Sequence, residues 1–316
     1  MVDPQRLADR TQLVGGKAAH LEWLLLHTDE LGYKVPDYDV VDTSVFDSIL
    51  ESVGIRRKIE VIRGFASKIL SGEYDSEEII HIAEAEHLDP FNRFRENLNR
   101  IRANSDYISE DFLSDAIHGL SLSWSWILSL ELRTQLMGIH APFDKQKYVM
   151  RSSATCEDGK NDSFAGLFTT KGPVVLTDRS IYNTLFGVDV LIDYSFDEFI
   201  QNIGSIYGDF LRKREVTLQD RIKLEDKMAI IIQKFVHTNP SGVIYTRLPE
   251  EPNILTLETV ADTCNWVVNG DGTYIMDFNR STGGIDEIVA TEGISNPLSE
   301  EQTQMVYRVA VALDER

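Results

Sequence analysis

Apolar and polar positions divide the 316-residue chain into a helix-patterned first part and a strand-patterned second part. Leu21, Leu24 and Leu25 recur at helical spacing and predict a helix over 17–27 with Lys17 at its start. Val35-Pro36 breaks that pattern, and 38–41 reads as a short strand. Phe46, Ile49, Leu50 and Val53 fall at i, i+3, i+4 and i+7, one face of a second helix. Residues 55–140 read as mostly helical, with turn signals near Gly72 and Gly119 and with Trp124 and Trp126 as packing residues.

From 147 the pattern changes. Tyr148-Val149-Met150 begins a strand, and strands are predicted over 228–236, 242–247, 253–258, 265–268 and 273–278. Asn269-Gly270-Asp271-Gly272 has hairpin-turn chemistry. One helix interrupts the strands, where Phe196, Phe199, Ile200, Ile203, Ile206, Tyr207, Phe210 and Leu211 form a continuous apolar stripe. Ser299 with Gln302 forms a capping box before a last helix, in which Met305, Val306, Val309, Ala310 and Leu313 share a face. Helices gathered first and strands later predict an α+β fold, helix-rich over about 1–146 and strand-rich over about 147–316.

A net charge of −20 excludes nucleic acid and anionic membrane surfaces as main partners. Any phosphate site must be a local positive pocket in a negative field. Two cysteines, Cys156 and Cys264, provide no disulfide framework and suit a reducing, cytoplasmic setting. The opening MVDPQRLADR does not read as a signal peptide, and runs such as Leu24–Leu26 and Met228–Ile232 are too short to span a bilayer.

The chemistry concentrates in Tyr148–Thr170, YVMRSSATCEDGKNDSFAGLFTT. Small hydroxyl and glycine residues let backbone amides approach phosphate oxygens, and an arginine grips a phosphate with two parallel hydrogen bonds. A polar loop with a structural arginine, paired to Glu157 or Asp158, is the alternative. Three further stretches bear on the choice: Leu13–Leu21 with Gly15-Gly16-Lys17, Ala229–Val236 with Gln233, and Ser241–Thr246. In order and spacing, the four resemble the nucleotide-binding domain of the pyruvate phosphate dikinase and phosphoenolpyruvate synthase family. RSSAT…ED…SFAG is the specific part, and the resemblance covers nearly the whole chain.

The resemblance implies a single two-lobed, ATP-grasp-like region over 1–316 that binds ATP with Mg²⁺ and passes a phosphoryl group to a histidine carrier located elsewhere. Lys17 and Arg151 match phosphate-contacting residues and are the catalytic candidates. Gly166, Thr170 and Lys171 align with a loop that closes over the nucleotide, and Gln233 with a residue near the adenine. His20 and His237 read as helix-surface and turn residues. A lysine at a helix start is opposed by the helix dipole, a cost that a bound anion would offset. Acceptors as different as pyruvate, a glucan and an antibiotic fit this domain.

The sequence also departs from the family pattern. Ala18 replaces a glycine, and Asp262-Thr263-Cys264-Asn265-Trp266 follows Glu258 where the family has a glycine-rich loop. The family's metal ligands and a second arginine are expected beyond Arg316, leaving Glu258 or Asp262 as weak candidates here. Negligible turnover is therefore expected of residues 1–316 alone. A degenerate nucleotide-binding or regulatory module without turnover is the alternative to a phosphotransferase part.

Overall fold

The computed structural model describes residues 4–51, 57, 60–61, 81, 147–157, 167–175, 180–185, 188–214, 218, 221–238, 240–247, 251–261, 274–290 and 293–315. Helices and antiparallel sheets make it an α+β structure, as the patterning predicted. It divides into two compact units: Pro4–Glu22 with Pro36–Phe235, and Trp23–Val35 with Val236–Arg316.

The larger unit is built on an antiparallel sheet of order β1-β6-β2-β3. Its strands are β1 (Tyr38–Val41), β2 (Lys147–Ala154), β3 (Thr170–Val175) and β6 (Met228–Lys234). Every residue of β6 from Met228 to Gln233 is buried, so both faces of this strand are covered. That is why it reads as an unbroken apolar run rather than an alternation. On one face, Val14, Ala18 and Ala19 of α1 (Pro4–Leu25) pack with Ile231, joined by Tyr38 and Val40. Helices α3 (Thr43–Glu51) and α4 (Tyr194–Arg212) also pack on the sheet. Phe46 lies 5.4 Å from the Tyr207 ring and 5.5 Å from Phe210. The buried Arg214 guanidinium covers Phe46 and Phe210 and donates to the carbonyls of Leu224 and Asp226 at 3.1 and 3.0 Å. A charge this deep is tolerated because aromatic faces and carbonyl oxygens replace its water. A hairpin of β4 (Ser180–Leu185) and β5 (Val188–Asp193) leads into α4, whereas the short helix α2 (Thr28–Leu31), next after α1 in the chain, belongs to the smaller unit.

The smaller unit holds a second antiparallel sheet, order β10-β9-β8-β7. Its strands are β7 (Ser241–Tyr245), β8 (Ile254–Val260), β9 (Tyr274–Asn279) and β10 (Ile285–Ala290). Leu255, Leu257, Met276 and Phe278 form its core with Ala310 of α5 (Glu300–Asp314). The capping box is present: the Gln302 amide donates to Ser299 Oγ at 3.2 Å, and the Ser299 amide to Gln302 Oε1 at 2.9 Å. Of the apolar face read from the sequence of α5, Val306 and Ala310 turn to the core and Met305 does not. Tyr307 stacks on Phe278 at 5.3 Å and donates to the Arg280 carbonyl, which brings Thr303, Val306, Ala310 and Val311 inward. Met305 is left 42% exposed.

Asp314 ties the end of α5 to the sheet. It accepts from Arg280 Nη2 at 2.6 Å and Arg247 Nε at 2.9 Å. Burial opposes its ionisation, but hydrogen bonds from Arg247, Thr246 and Arg280 outweigh burial and hold the carboxyl below its usual range. A depressed carboxyl stabilises the fold above its unfolded pKa, and that contribution disappears as pH falls through the folded value. Urea melts should therefore show the parent losing more stability than Asp314→Asn as pH drops below about 4. Parallel losses would show that Asp314 is not linked to folding.

Strands β3 and β10 escape the sequence pattern for physical reasons. β3 contains Gly172-Pro173, a turn signal, but proline is permitted on an edge strand. Gly172, at φ 110°, absorbs a one-residue slip between the pairs Tyr148–Val174 and Met150–Lys171. β10 is exposed along its length, so burial imposes no alternation. The predicted strand 265–268 and turn 269–272, and Trp124 and Trp126, lie outside the described residues.

Candidate functional site

The site is assembled around the last four residues of β2. Helix α1 begins at Pro4, not at Lys17, and breaks at Gly15, where φ is 75° and ψ 168°. Only glycine occupies that region without strain. A Cβ at Gly15 would also lie 1.9 Å from the Ser153 carbonyl oxygen. The Ser153 hydroxyl enters the break: it accepts from the Ala18 amide at 3.0 Å and donates to the Val14 carbonyl at 2.8 Å. These are the i−4 acceptor and donor that a continuous helix would join directly. Ser153 thus satisfies both orphaned groups and caps the second half of the helix. Arg10 and Glu22 close the bend with a two-pronged pair, Nε to Oε2 being 2.7 Å. In a straight helix, residues twelve apart would sit roughly 18 Å apart, so the two halves fold back toward each other.

Lys17 stands just past the break. Its ammonium reaches Glu157 Oε1 at 2.5 Å and the Ser152 carbonyl at 3.2 Å. Glu157 is buried, and its Oε2 accepts from the Ala154 amide at 3.0 Å. The counter-charge at this helix start is thus Glu157, so the helix-dipole cost needs no external anion to offset it. Glu157 was considered in the sequence only as a partner for Arg151; the bend in α1 brings it to Lys17 instead.

Arg151 meets a neutral group, Nη1 donating to Gln233 Oε1 at 3.1 Å. Among the described residues its half-buried guanidinium has no carboxylate in ion-pair range. Strand pairing sets Arg151 opposite Thr170 on one side and Ile231 on the other, with Gln233 opposite Val149. Arg151, Thr170 and Gln233 therefore share one face of the sheet. Lys171 pairs with the buried Met150 and belongs to the opposite face. Thr170 and Lys171, expected in a closing loop, are the first residues of β3. Gly166 and Asp262 lie outside the described residues.

A family profile described as the pyruvate phosphate dikinase AMP/ATP-binding domain matches residues 11–308. The chain belongs to this family. No curated protein matches it. The matched range takes in all of the dikinase-domain motifs described above, from Gly15-Gly16-Lys17 to Ser241–Thr246.

Among the described residues of this dikinase-type domain, Cys156, His20 and His237 stand apart from the Lys17–Glu157 and Arg151–Gln233 pairs. Burial, aided by the charges of Asp226 and Glu157, pushes the Cys156 thiol up to about 12, so it stays protonated and is a poor nucleophile. His20 bonds the Gly16 carbonyl one turn back on α1, and His237 lies beyond the end of β6. Among the described residues no three His, Cys, Asp or Glu side chains gather as a metal site. Glu258 stands on β8 opposite Val243 and Ile275, in the smaller unit. No helix among the described residues is long and apolar enough to cross a membrane.

Proposed function

We propose that the chain binds ATP at the end of β2, as the nucleotide-binding part of a dikinase-type phosphotransferase whose histidine carrier lies elsewhere. The observation that carries this is Arg151. Among the described residues, this half-buried guanidinium with five donors meets only a neutral partner, which leaves hydrogen-bonding capacity for an anion. One residue further along β2, the Ser152 carbonyl holds Lys17, so two cations converge on neighbouring strand positions. Thr170 adds a hydroxyl on the Arg151 face. Family membership supports an adenine nucleotide as the polyanion. Two sheet-and-helix units are in keeping with an ATP-grasp-like architecture.

The test is calorimetric titration with ATP, which should show saturable binding that Arg151→Ala weakens. Equal affinity in the two proteins would remove Arg151 from the site. Gln233 both supports Arg151 and stands next to last in β6, near where the adenine is expected. Gln233→Leu should reduce discrimination of ATP from GTP by about three- to tenfold, the worth of one hydrogen bond. Unchanged discrimination in a competition assay would leave Gln233 a structural residue.

One observation favours a second reading, a nucleotide-binding or regulatory module without turnover: the charge of Lys17 is already matched by Glu157. Mg²⁺-dependent release of AMP or ADP, measured with a chain that supplies the family's metal-ligand segment and histidine carrier, would separate the two readings. Release then favours the phosphotransferase; binding without release, even when so supplemented, favours the module.

A further inference from the structure

Of the three donors of the Lys17 ammonium, Glu157 Oε1 at 2.5 Å and the Ser152 carbonyl at 3.2 Å engage two, and Ser152 Oγ, at 3.4 Å, is a long and readily displaced partner for the third. Glu157 is itself fixed, because its second oxygen accepts from the Ala154 amide at 3.0 Å. Its side chain is 3% exposed, against 30% for Lys17. A carboxylate this deep is costly to leave without its cation, so Lys17 does not swing away from it. Among the described residues, the exposed part of the lysine is the side open to a ligand.

On the nucleotide reading above, we propose that Glu157 is a positioning residue for ATP binding. It does not touch the nucleotide. It fixes the Lys17 ammonium at Ser152, the residue after Arg151, so that both cations face one polyphosphate. An unrestrained lysine would lose rotamer freedom on gripping a phosphate, and Glu157 removes that freedom beforehand. The opposite role, an internal anion that competes with phosphate for Lys17, predicts the opposite sign.

ATP and adenosine affinities should be measured by calorimetry for the parent and for Glu157→Gln. Adenosine lacks the phosphates and reports on the rest of the site. Glu157→Gln should weaken ATP about three- to tenfold, the cost of re-immobilising one long side chain, while adenosine is unchanged. In a Lys17→Met background the identity of residue 157 should cease to matter, so Lys17→Met/Glu157→Gln and Lys17→Met/Glu157→Leu should bind ATP equally. If Glu157→Gln fails to fold, Glu157→Asp, which keeps the charge at shorter reach, should show the same loss for ATP alone. Binding of ATP as tight as the parent's, or tighter, overturns the positioning role. So does a parallel loss for ATP and adenosine, which is the mark of a purely structural residue. A parent protein that binds no ATP overturns the nucleotide reading itself, and the positioning role with it.

Discussion

Replacing Arg151 with alanine should weaken ATP binding by about ten- to a hundredfold, since a hydrogen bond from a charged donor contributes roughly 1.5–3 kcal/mol. The same change should barely alter stability. Arg151 gives up one bond to Gln233, and among the described residues it leaves no carboxylate behind. That separation of binding from folding distinguishes it from Lys17, whose loss would break an ion pair to the buried Glu157. Calorimetry with thermal melts on the same preparations checks both halves. A large drop in melting temperature with unchanged ATP affinity would make Arg151 a structural arginine after all.

Gly15→Ala should be among the most destabilising single changes in the chain. Non-glycine residues at that backbone geometry are strained by about 1–3 kcal/mol. The added Cβ would sit 1.9 Å from the Ser153 carbonyl, so either α1 or β2 must move, at a further ~1–3 kcal/mol. Together these approach much of the roughly 5–15 kcal/mol by which folded domains exceed their unfolded chains. Gly32 is the control. It has a similar φ of 73°, but a Cβ there meets nothing within 4 Å. Gly32→Ala should lose only the backbone term, about 1–2 kcal/mol. Urea melts giving equal losses for the two variants would show that the packing of Gly15 on Ser153 does not matter.

These two residues also show what was legible in the sequence. Strand β6 was, because a run of apolar residues covered on both faces needs no partner to be recognised. The Ser299–Gln302 box was, because all its atoms lie within four residues. The bend at Gly15 was not: the hydroxyl that fills it belongs to a residue 135 positions beyond Ala18, and local propensity carries no trace of it. The partner of Glu157 was hidden for the same reason, since Lys17 reaches it only through that bend. Arg151 was visible as a residue type in a phosphate-like context. Its neutral partner Gln233 was not visible as such, because the alignment of β2 with β6 decides which side chains meet. The apolar face of α5 was legible in Val306 and Ala310, but Met305 leaves it for solvent, because the pairing of Tyr307 with Phe278 sets the helix rotation.

The most direct test is a crystal structure of the chain with a non-hydrolysable ATP analogue. Phosphate oxygens within about 3 Å of the Arg151 guanidinium, and on the exposed side of Lys17 with Glu157 still at its back, are the expected result. An analogue bound elsewhere, with Arg151 still paired only to Gln233, would contradict the assignment of the end of β2 as the nucleotide site.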